Sequence, residues 1–404
     1  MTRSTVVTGI GVLAPNGNGC TDYWAATCAG INGIRQITRF DATNYPSRLA
    51  GEVRGFVAED YLSTRLISQT DRMTQLALVA SDWALDDAGA SAEDLPEYGM
   101  GVVTASSAGG FEFGQNELQK LWSQGSQYVS AYQSFAWFYA VNTGQISIRS
   151  GMRGAGGVLV SDQAGGLDVI AKARRNIRRD GGLVMSGGVD GNICPWGWVA
   201  QLASGRLTTT NDPDQAYLPF DRRASGYVPG EGGALLVLED EQEARNRGAR
   251  MYGEIAGYAA TFDPRPDLGR EPGLRRAIEL ALADAGMAAD QIDVVFADAA
   301  GIPDLDRAEA EAIRAVFGPY GVPVTAPKTN TGRLYSGAAS LDVVSALLSI
   351  RDGLIPPTTN VAVADEYELR LVCAPTILPV RAALVIARGF GGFNSVMIVR
   401  GVDK

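Results

Sequence analysis

Residues Ser161-Asp162-Gln163 pose the sharpest chemical contradiction in this chain. The apolar run Val158 to Val160 before them reads as a buried strand, and the amphipathic run Leu167 to Ile177 after them reads as a helix. Ser161 or Asp162 offers an N-cap oxygen at the junction. Such a strand-turn-helix corner holds one side chain at a helix N-terminus. The helix dipole and the free backbone N–H groups there favour a nucleophilic anion or an oxyanion. The side chain delivered is Gln163, and a primary amide is not a nucleophile.

Other residue types narrow the chemistry further. The chain has no histidine, which removes every Ser-His-Asp and Cys-His mechanism and most catalytic zinc sites. Its cysteines, Cys20, Cys28, Cys194 and Cys373, lie far apart with no CxxC spacing, so neither a disulfide framework nor a zinc site is expected. Cys194 precedes Pro195 and Trp196 and reads as a packing residue. Asp304, Asp306, Glu309 and Glu311 could ligate a metal, but acidic residues near a helix start are the commoner arrangement. No cofactor or metal is expected.

One helical stripe can line a cavity. Phe111, Gly114 and Leu118 stand at i, i+3 and i+7. At helical spacing they fall within about 60° of arc and span roughly 10 Å. Core packing is the ordinary explanation, but a mid-helix glycine costs about 1 kcal/mol relative to alanine. A glycine on an inward face leaves space. The segment Ser130 to Ile148 holds Tyr132, Phe135, Trp137, Phe138 and Tyr139 and is expected to pack against an interface or tunnel wall, with core packing as the ordinary alternative.

The scaffold has ample material. The chain has 404 residues, 46% of them hydrophobic, enough for two or three domains or one large layered unit. Its formal net charge of -10 argues against nucleic acid as the main ligand. The N-terminus enters an apolar run at once without a signal-peptide pattern, and no apolar run is long enough to span a membrane. A reducing cytoplasm is the expected location.

Strands are expected at Thr5–Leu13, Gly99–Thr104, Gly182–Gly187, Ala234–Glu239, Glu254–Ala260, Ile292–Ala297, Ala382–Ala387 and Ser395–Val399. Helices are expected at Tyr23–Gly30, Leu66–Ala88, Phe111–Leu121, Gly273–Ala285, Ala308–Phe317 and Leu334–Gly353. Gly9-Ile-Gly11 hints at a dinucleotide loop, but Ala14 and Pro15 break that pattern. An internal echo links Leu167-Asp-Val169 and Arg179-Asp-Gly181 to Leu341-Asp-Val343 and Arg351-Asp-Gly353. Two similar tripeptide pairs at a similar offset imply duplicated βαβ-rich halves, divided as 1–250 and 251–404.

On Val6-Val-Thr-Gly-Ile-Gly11, Pro219-Phe-Asp221, Gly230-Glu-Gly232 and Gly389-Phe-Gly-Gly-Phe-Asn394, the whole chain resembles the β-ketoacyl synthases of the thiolase fold. Within them it is similar to the chain length factors, the ketosynthase β subunits of bacterial type II aromatic polyketide synthases. Ser161-Asp-Gln-Ala-Gly-Gly166 is itself a form characteristic of chain length factors. The resemblance implies an α/β, five-layer α-β-α-β-α fold of two pseudo-repeated halves. It places Gln163 where catalytic members carry cysteine, and Ala300 and Arg333 where they carry histidines. Lys328 matches the family's lysine.

A degenerate site implies that condensation occurs elsewhere. The resemblance implies a heterodimer with a catalytic ketosynthase α subunit, with the strand before Gln163 pairing across the interface. An acyl carrier protein bearing the phosphopantetheine-bound chain is expected to engage mainly through that partner. Neither nucleic acid nor membrane is an expected partner. Phe111, Gly114, Leu118 and the facing Trp196 are expected to gate the polyketide tunnel, with a comparatively deep cavity and a decaketide or longer product. The alternative is a malonyl-carrier-protein decarboxylase in which Gln163 helps hold an enolate oxygen.

Overall fold

The computed structural model describes residues 3–402 apart from 266 and 268. Eleven strands follow one path: β1 Thr5–Ala14, β2 Met100–Ala105, β3 Gly156–Leu159, β4 Leu183–Asp190, β5 Gly232–Asp240, β6 Gly253–Phe262, β7 Val294–Phe296, β8 Pro323–Thr325, β9 Arg370–Leu371, β10 Ala382–Gly389 and β11 Phe393–Arg400. Their spatial order is β9-β8-β7-β10-β11-β6-β1-β5-β4-β2-β3. The principal helices are α1 Arg72–Ala88, α2 Phe111–Gln124, α3 Gly165–Asp180, α4 Pro195–Leu202, α5 Leu274–Ala285, α6 Pro303–Phe317 and α7 Ser336–Asp352.

The duplication inferred from the two tripeptide pairs is visible in the strand order. In the first half, β3-β2-β4 pair in parallel, and β4-β5 and β5-β1 pair antiparallel. In the second half, β8-β7-β10 pair in parallel, and β10-β11 and β11-β6 pair antiparallel. The two half-sheets meet where Val6 and Val7 stand opposite Glu254 and Gly253. The paired motifs fall on α3 and α7, which occupy equivalent places.

Hydrophobic cores lie between the layers. Leu76, Val79 and Ala80 of α1 pack on one sheet, and Ile278 of α5 and Ile313 of α6 pack on the other. Between the sheets, Leu167 and Ile170 of α3 join Leu341 and Val344 of α7. Almost every α7 side chain is buried, because a helix between two sheets has no solvent face. This is the expected α-β-α-β-α arrangement. No helix among the described residues is long and apolar enough to cross a membrane.

Several local expectations need correction. Helix Leu66–Ala88 divides into Thr64–Ile67 and α1, because Asp71 caps a new start. The aromatic segment forms two short helices, Gln133–Ala136 and Val141–Arg149, and the exposed Trp137, Phe138 and Tyr139 between them agree with the interface or tunnel-wall reading rather than with core packing. The strand before Gln163 is not buried. It is the edge of the sheet, paired on one side, and Val160 is 47% exposed. Gly9 and Gly11, already set aside as a dinucleotide loop, lie against α1. A Cβ at either would collide with the Ala84 or Ala80 carbonyl of α1, so these glycines permit close strand-helix packing.

Candidate functional site

Two separate regions gather the singled-out residues. The first is the corner after β3. Asp162 adopts φ 52, a left-handed conformation unfavourable for a residue with a Cβ. The expected side-chain cap is absent: Ala164 holds the N-cap position and makes no side-chain bond. Asp162 instead accepts from the Phe390 N–H at 2.9 Å, and Ser161 donates to Asp168 at 2.5 Å. Asp168 also accepts from the Tyr258 hydroxyl at 2.7 Å. The corner is therefore stitched to the turn between β10 and β11 and to β6 rather than capped locally, and burial pushes the Asp162 carboxyl pKa up.

Gln163 is 3% exposed and lies against Arg333. With the amide turned so that its oxygen meets the guanidinium, that oxygen accepts from Nη2 and Nε of Arg333. Arg333 also reaches Asp298 at 3.0 Å and donates to the Asp298 carbonyl at 2.9 Å. Its Cζ stands 5.4 Å from the Tyr227 ring centre. Burial works against the Arg333 charge, but Asp298, Tyr217 and Tyr227 hold its pKa above the ordinary value. The guanidinium is a fixed cation that stays protonated and cannot act as a base.

Ala300 lies in the loop after β7, and Ala299 beside it adopts φ 50. Two acids of α6 hold this loop. Glu309 accepts from the Asp298 N–H at 2.7 Å and the Ala299 N–H at 2.8 Å. Asp306 accepts from the Gly301 N–H at 3.0 Å and the Phe220 N–H at 2.9 Å. Burial pushes both carboxyls up to about 7. Asp304 and Asp306 do stand in the first turn of α6, as expected of helix-start charges, while the inward Asp306 and Glu309 also clamp the loop. No group of residues that could hold a metal occurs among the described residues.

Lys328 is buried against Asp342 at 2.7 Å and donates to the Ala297 carbonyl. Burial raises the Asp342 carboxyl pKa and Lys328 opposes that rise. Gln163, Ala300 and Arg333 line one cavity of about 80 Å3, and Lys328 is not among its lining residues. Tyr335 also lines the cavity; its hydroxyl is buried without a hydrogen-bond partner, and its backbone holds φ 52. Sequence reasoning missed Asp298 and Tyr335. A lone aspartate at the end of the strand Val294–Phe296 was the available signal for the first; nothing local marks the second.

Cys194 cannot substitute as a nucleophile. It is 2% exposed, its sulfur accepts from the Gly197 N–H at the start of α4, and burial pushes its thiol up to about 11.

The second region lies on α2 and α4. The Phe111 and Trp196 rings stand 4.6 Å apart between centroids. Gly114 packs directly beneath Trp196: a Cβ there would lie 3.2 Å from Cζ3 of Trp196 and 3.5 Å from Cβ of Trp137. The expected open space at Gly114 is therefore filled by the indole. Leu118 is 38% exposed and Trp196 42%. Phe111, Gly114 and Trp196 thus pack together where α2 meets α4, and Leu118 lies one turn further along α2.

Comparison with known proteins places these features in context. The family "Beta-ketoacyl synthase, N-terminal domain" matches residues 2–244, and "Beta-ketoacyl synthase, C-terminal domain" matches residues 252–362. A Streptomyces glaucescens protein named tetracenomycin polyketide synthase ketoacyl synthase beta subunit is 60% identical over 399 residues, covering 98% of each chain. The solved ishigamide ketosynthase/chain length factor superposes with a TM-score of 0.91 at 27% identity, covering 100% of each chain. A type II acyl carrier protein in complex with its ketosynthase bound to the hexaketide superposes at 0.88 with 24% identity over 100% of each chain, a likeness of fold alone.

Proposed function

The chain belongs to the β-ketoacyl synthase family, among the ketosynthase β subunits of type II polyketide synthases, and from that premise we propose that it sets polyketide length without catalysing condensation. The observation that carries this reading is the closure of Arg333 on Gln163 and Asp298. Claisen condensation needs a thiolate to carry the growing chain and donors free to meet the enolate oxygen formed when CO2 leaves. This corner offers an amide locked to a permanent cation.

The partner is a catalytic ketosynthase α subunit, as the name of the ishigamide assembly suggests for its own chains. The one-sided edge strand β3 and the exposed Trp137, Phe138, Val160 and Trp196 support a large partner surface. An acyl carrier protein reaches the assembly mainly through that partner. The two halves divide at 250/251.

Phe111, Gly114, Leu118 and Trp196 form this chain's share of the tunnel wall. Gly114 gives Trp196 a place to lie against α2, where a larger residue would push the indole away from the helix. Leu118 is smaller than an aromatic residue at the next turn. Both favour a decaketide or longer product. Incubating the heterodimer with an acyl thioester tests the division of labour: label on the α subunit alone is expected, and label on this chain overturns it. Gly114→Thr with Leu118→Phe tests the gate: shorter chains are expected, and unchanged length refutes the assignment.

A second reading has its own observation. The unpartnered Tyr335 hydroxyl and the Gln163 amide line the same cavity and could both donate to an enolate oxygen during malonyl-carrier-protein decarboxylation. CO2 release by the heterodimer, with the partner's nucleophile blocked, decides this. Equal release from Gln163→Ala and the parent dismisses it.

A further inference from the structure

The wall residues are held in register by side chains that do not belong to the wall. Asp71 is 2% exposed and uses its two oxygens on two helices. One accepts from the Met73 N–H at 2.8 Å and caps α1. The other accepts from the Phe113 N–H at 2.8 Å, in the first turn of α2. The N-cap residue of α2 is Gly110, which has no side chain to offer. A Cβ on Gly110 would lie 2.8 Å from Asp71 Cβ and 2.2 Å from the Ala136 carbonyl oxygen. The start of α2 is therefore wedged between Asp71 and the Gln133–Ala136 turn, and Asp71 supplies a cap across space.

A second contact joins α2 to α4. Gln115 accepts from the Trp196 N–H at 2.6 Å through its side-chain oxygen. That N–H is one of the first-turn donors of α4 that no helix carbonyl can satisfy. Gln115 stands one turn after Phe111, so this bond spans the place where the Phe111 and Trp196 rings meet. Arg39 adds a third tie: it pairs with Glu112 of α2 and donates to the Ile193 carbonyl before α4.

Resting on the proposed role of the wall, we infer that Asp71 and Gln115 are positioning residues for chain length, Asp71 fixing where α2 begins and Gln115 fixing Trp196 against it. Asp71 is too deeply buried to touch a polyketide and acts through Phe111 and Gly114. A gate made of two separate helices is only as definite as their mutual placement. Sub-ångström displacement of Trp196 changes the space left at the wall, and a two-carbon unit is a small increment.

The test uses the α–β heterodimer with acyl carrier protein and malonyl units, with products resolved by chain length. Gln115→Leu removes the acceptor, whereas Gln115→Glu retains one. Asp71→Ser keeps a capping oxygen for α1 and loses the bond to Phe113. We expect the ratio of the principal chain length to its two-carbon neighbours to fall about fivefold in Gln115→Leu and Asp71→Ser, the scale of one lost hydrogen bond. Gln115→Glu should hold the parental ratio, and size-exclusion chromatography should show an intact heterodimer for all three.

Reduced total turnover with an unchanged ratio would mark a merely structural role and overturn the inference. Gly114→Thr with Leu118→Phe is the reference arm. A shift there without a shift in Gln115→Leu or Asp71→Ser overturns the positioning role and leaves the proposed function standing. No shift in any arm overturns both.

Discussion

Arg333 and Gln163 occupy each other: the guanidinium takes the amide oxygen, and Asp298 takes the rest of the guanidinium at 3.0 Å. The corner combines a left-handed turn at Asp162 with the N-terminus of α3, and the amide of Gln163 and the guanidinium of Arg333 satisfy one another. A buried cation of this kind is stable only while its carboxylate remains, so the three residues form one unit.

That unit predicts the behaviour of a restored thiol. Gln163→Cys places sulfur at the start of α3 beside a permanent cation, and both effects favour thiolate. Iodoacetamide at pH 7 should label the introduced thiol at least about 100-fold faster than the buried Cys194. This chain without its partner should still not condense, because it has no histidine pair to hold the thioester oxygen on which the enolate develops. Peptide mass spectrometry and a carbon-chain assay check the two halves of this expectation; elongation by the single variant would contradict it.

Lys328 and Asp342 form a buried ion pair at 2.7 Å. Lys328→Ala leaves a buried carboxylate unpaired and should destabilise the fold by about 3–5 kcal/mol. Lys328→Met combined with Asp342→Leu should lose far less, since an apolar pair of similar size removes both desolvation costs. Urea melts of the single and double variants measure the difference.

Gly114→Ala asks whether the wall has slack. The helix gains about 1 kcal/mol of propensity and loses a similar amount where the new methyl meets Trp196. Net stability should therefore change by less than about 1 kcal/mol while Trp196 moves. A shifted tryptophan emission spectrum that disappears in a Trp196→Phe background is the expected readout, together with shorter products.

Asp190 supplies a pH dependence with a defined sign. It ties the end of β4 to the Ser107 N–H at 3.1 Å and to the Ser336 N–H at 3.0 Å, joining the first half to the start of α7. Burial pushes its carboxyl up from 3.8 to about 6. Between those values the folded state binds more proton than the unfolded state, so this contribution to stability falls as pH rises and is lost above about 6. Asp190→Asn cannot titrate. Its destabilisation relative to the parent should be larger at about pH 4.5 than at about pH 8, measured by denaturant unfolding at both.

Most of the architecture was legible because it is written in short-range periodicity. The long strands and amphipathic helices lie close to their expected bounds, and the repeated Leu-Asp-Val and Arg-Asp-Gly motifs mark equivalent central helices. The failures share one cause. Val158 to Val160 has the composition of a buried strand yet sits at a sheet edge, and composition does not report which neighbour is missing. The Ser161-Asp162 cap looked local, but those side chains are bonded to Asp168 and Phe390, the latter more than two hundred residues away.

By itself the sequence determined what this corner cannot do: without histidine, and with an amide at 163, neither imidazole nor thiolate is available there. Residue identity limits the available functional groups in any fold. Only the tertiary structure decided what the remaining groups do instead. Arg333 meets Gln163 from a distant part of the chain, Gly114 receives Trp196 rather than empty space, and Asp71 caps a helix that begins about forty residues later. These contacts depend on how layers stack and which backbone N–H groups remain unpaired, quantities that exist only once the chain has folded.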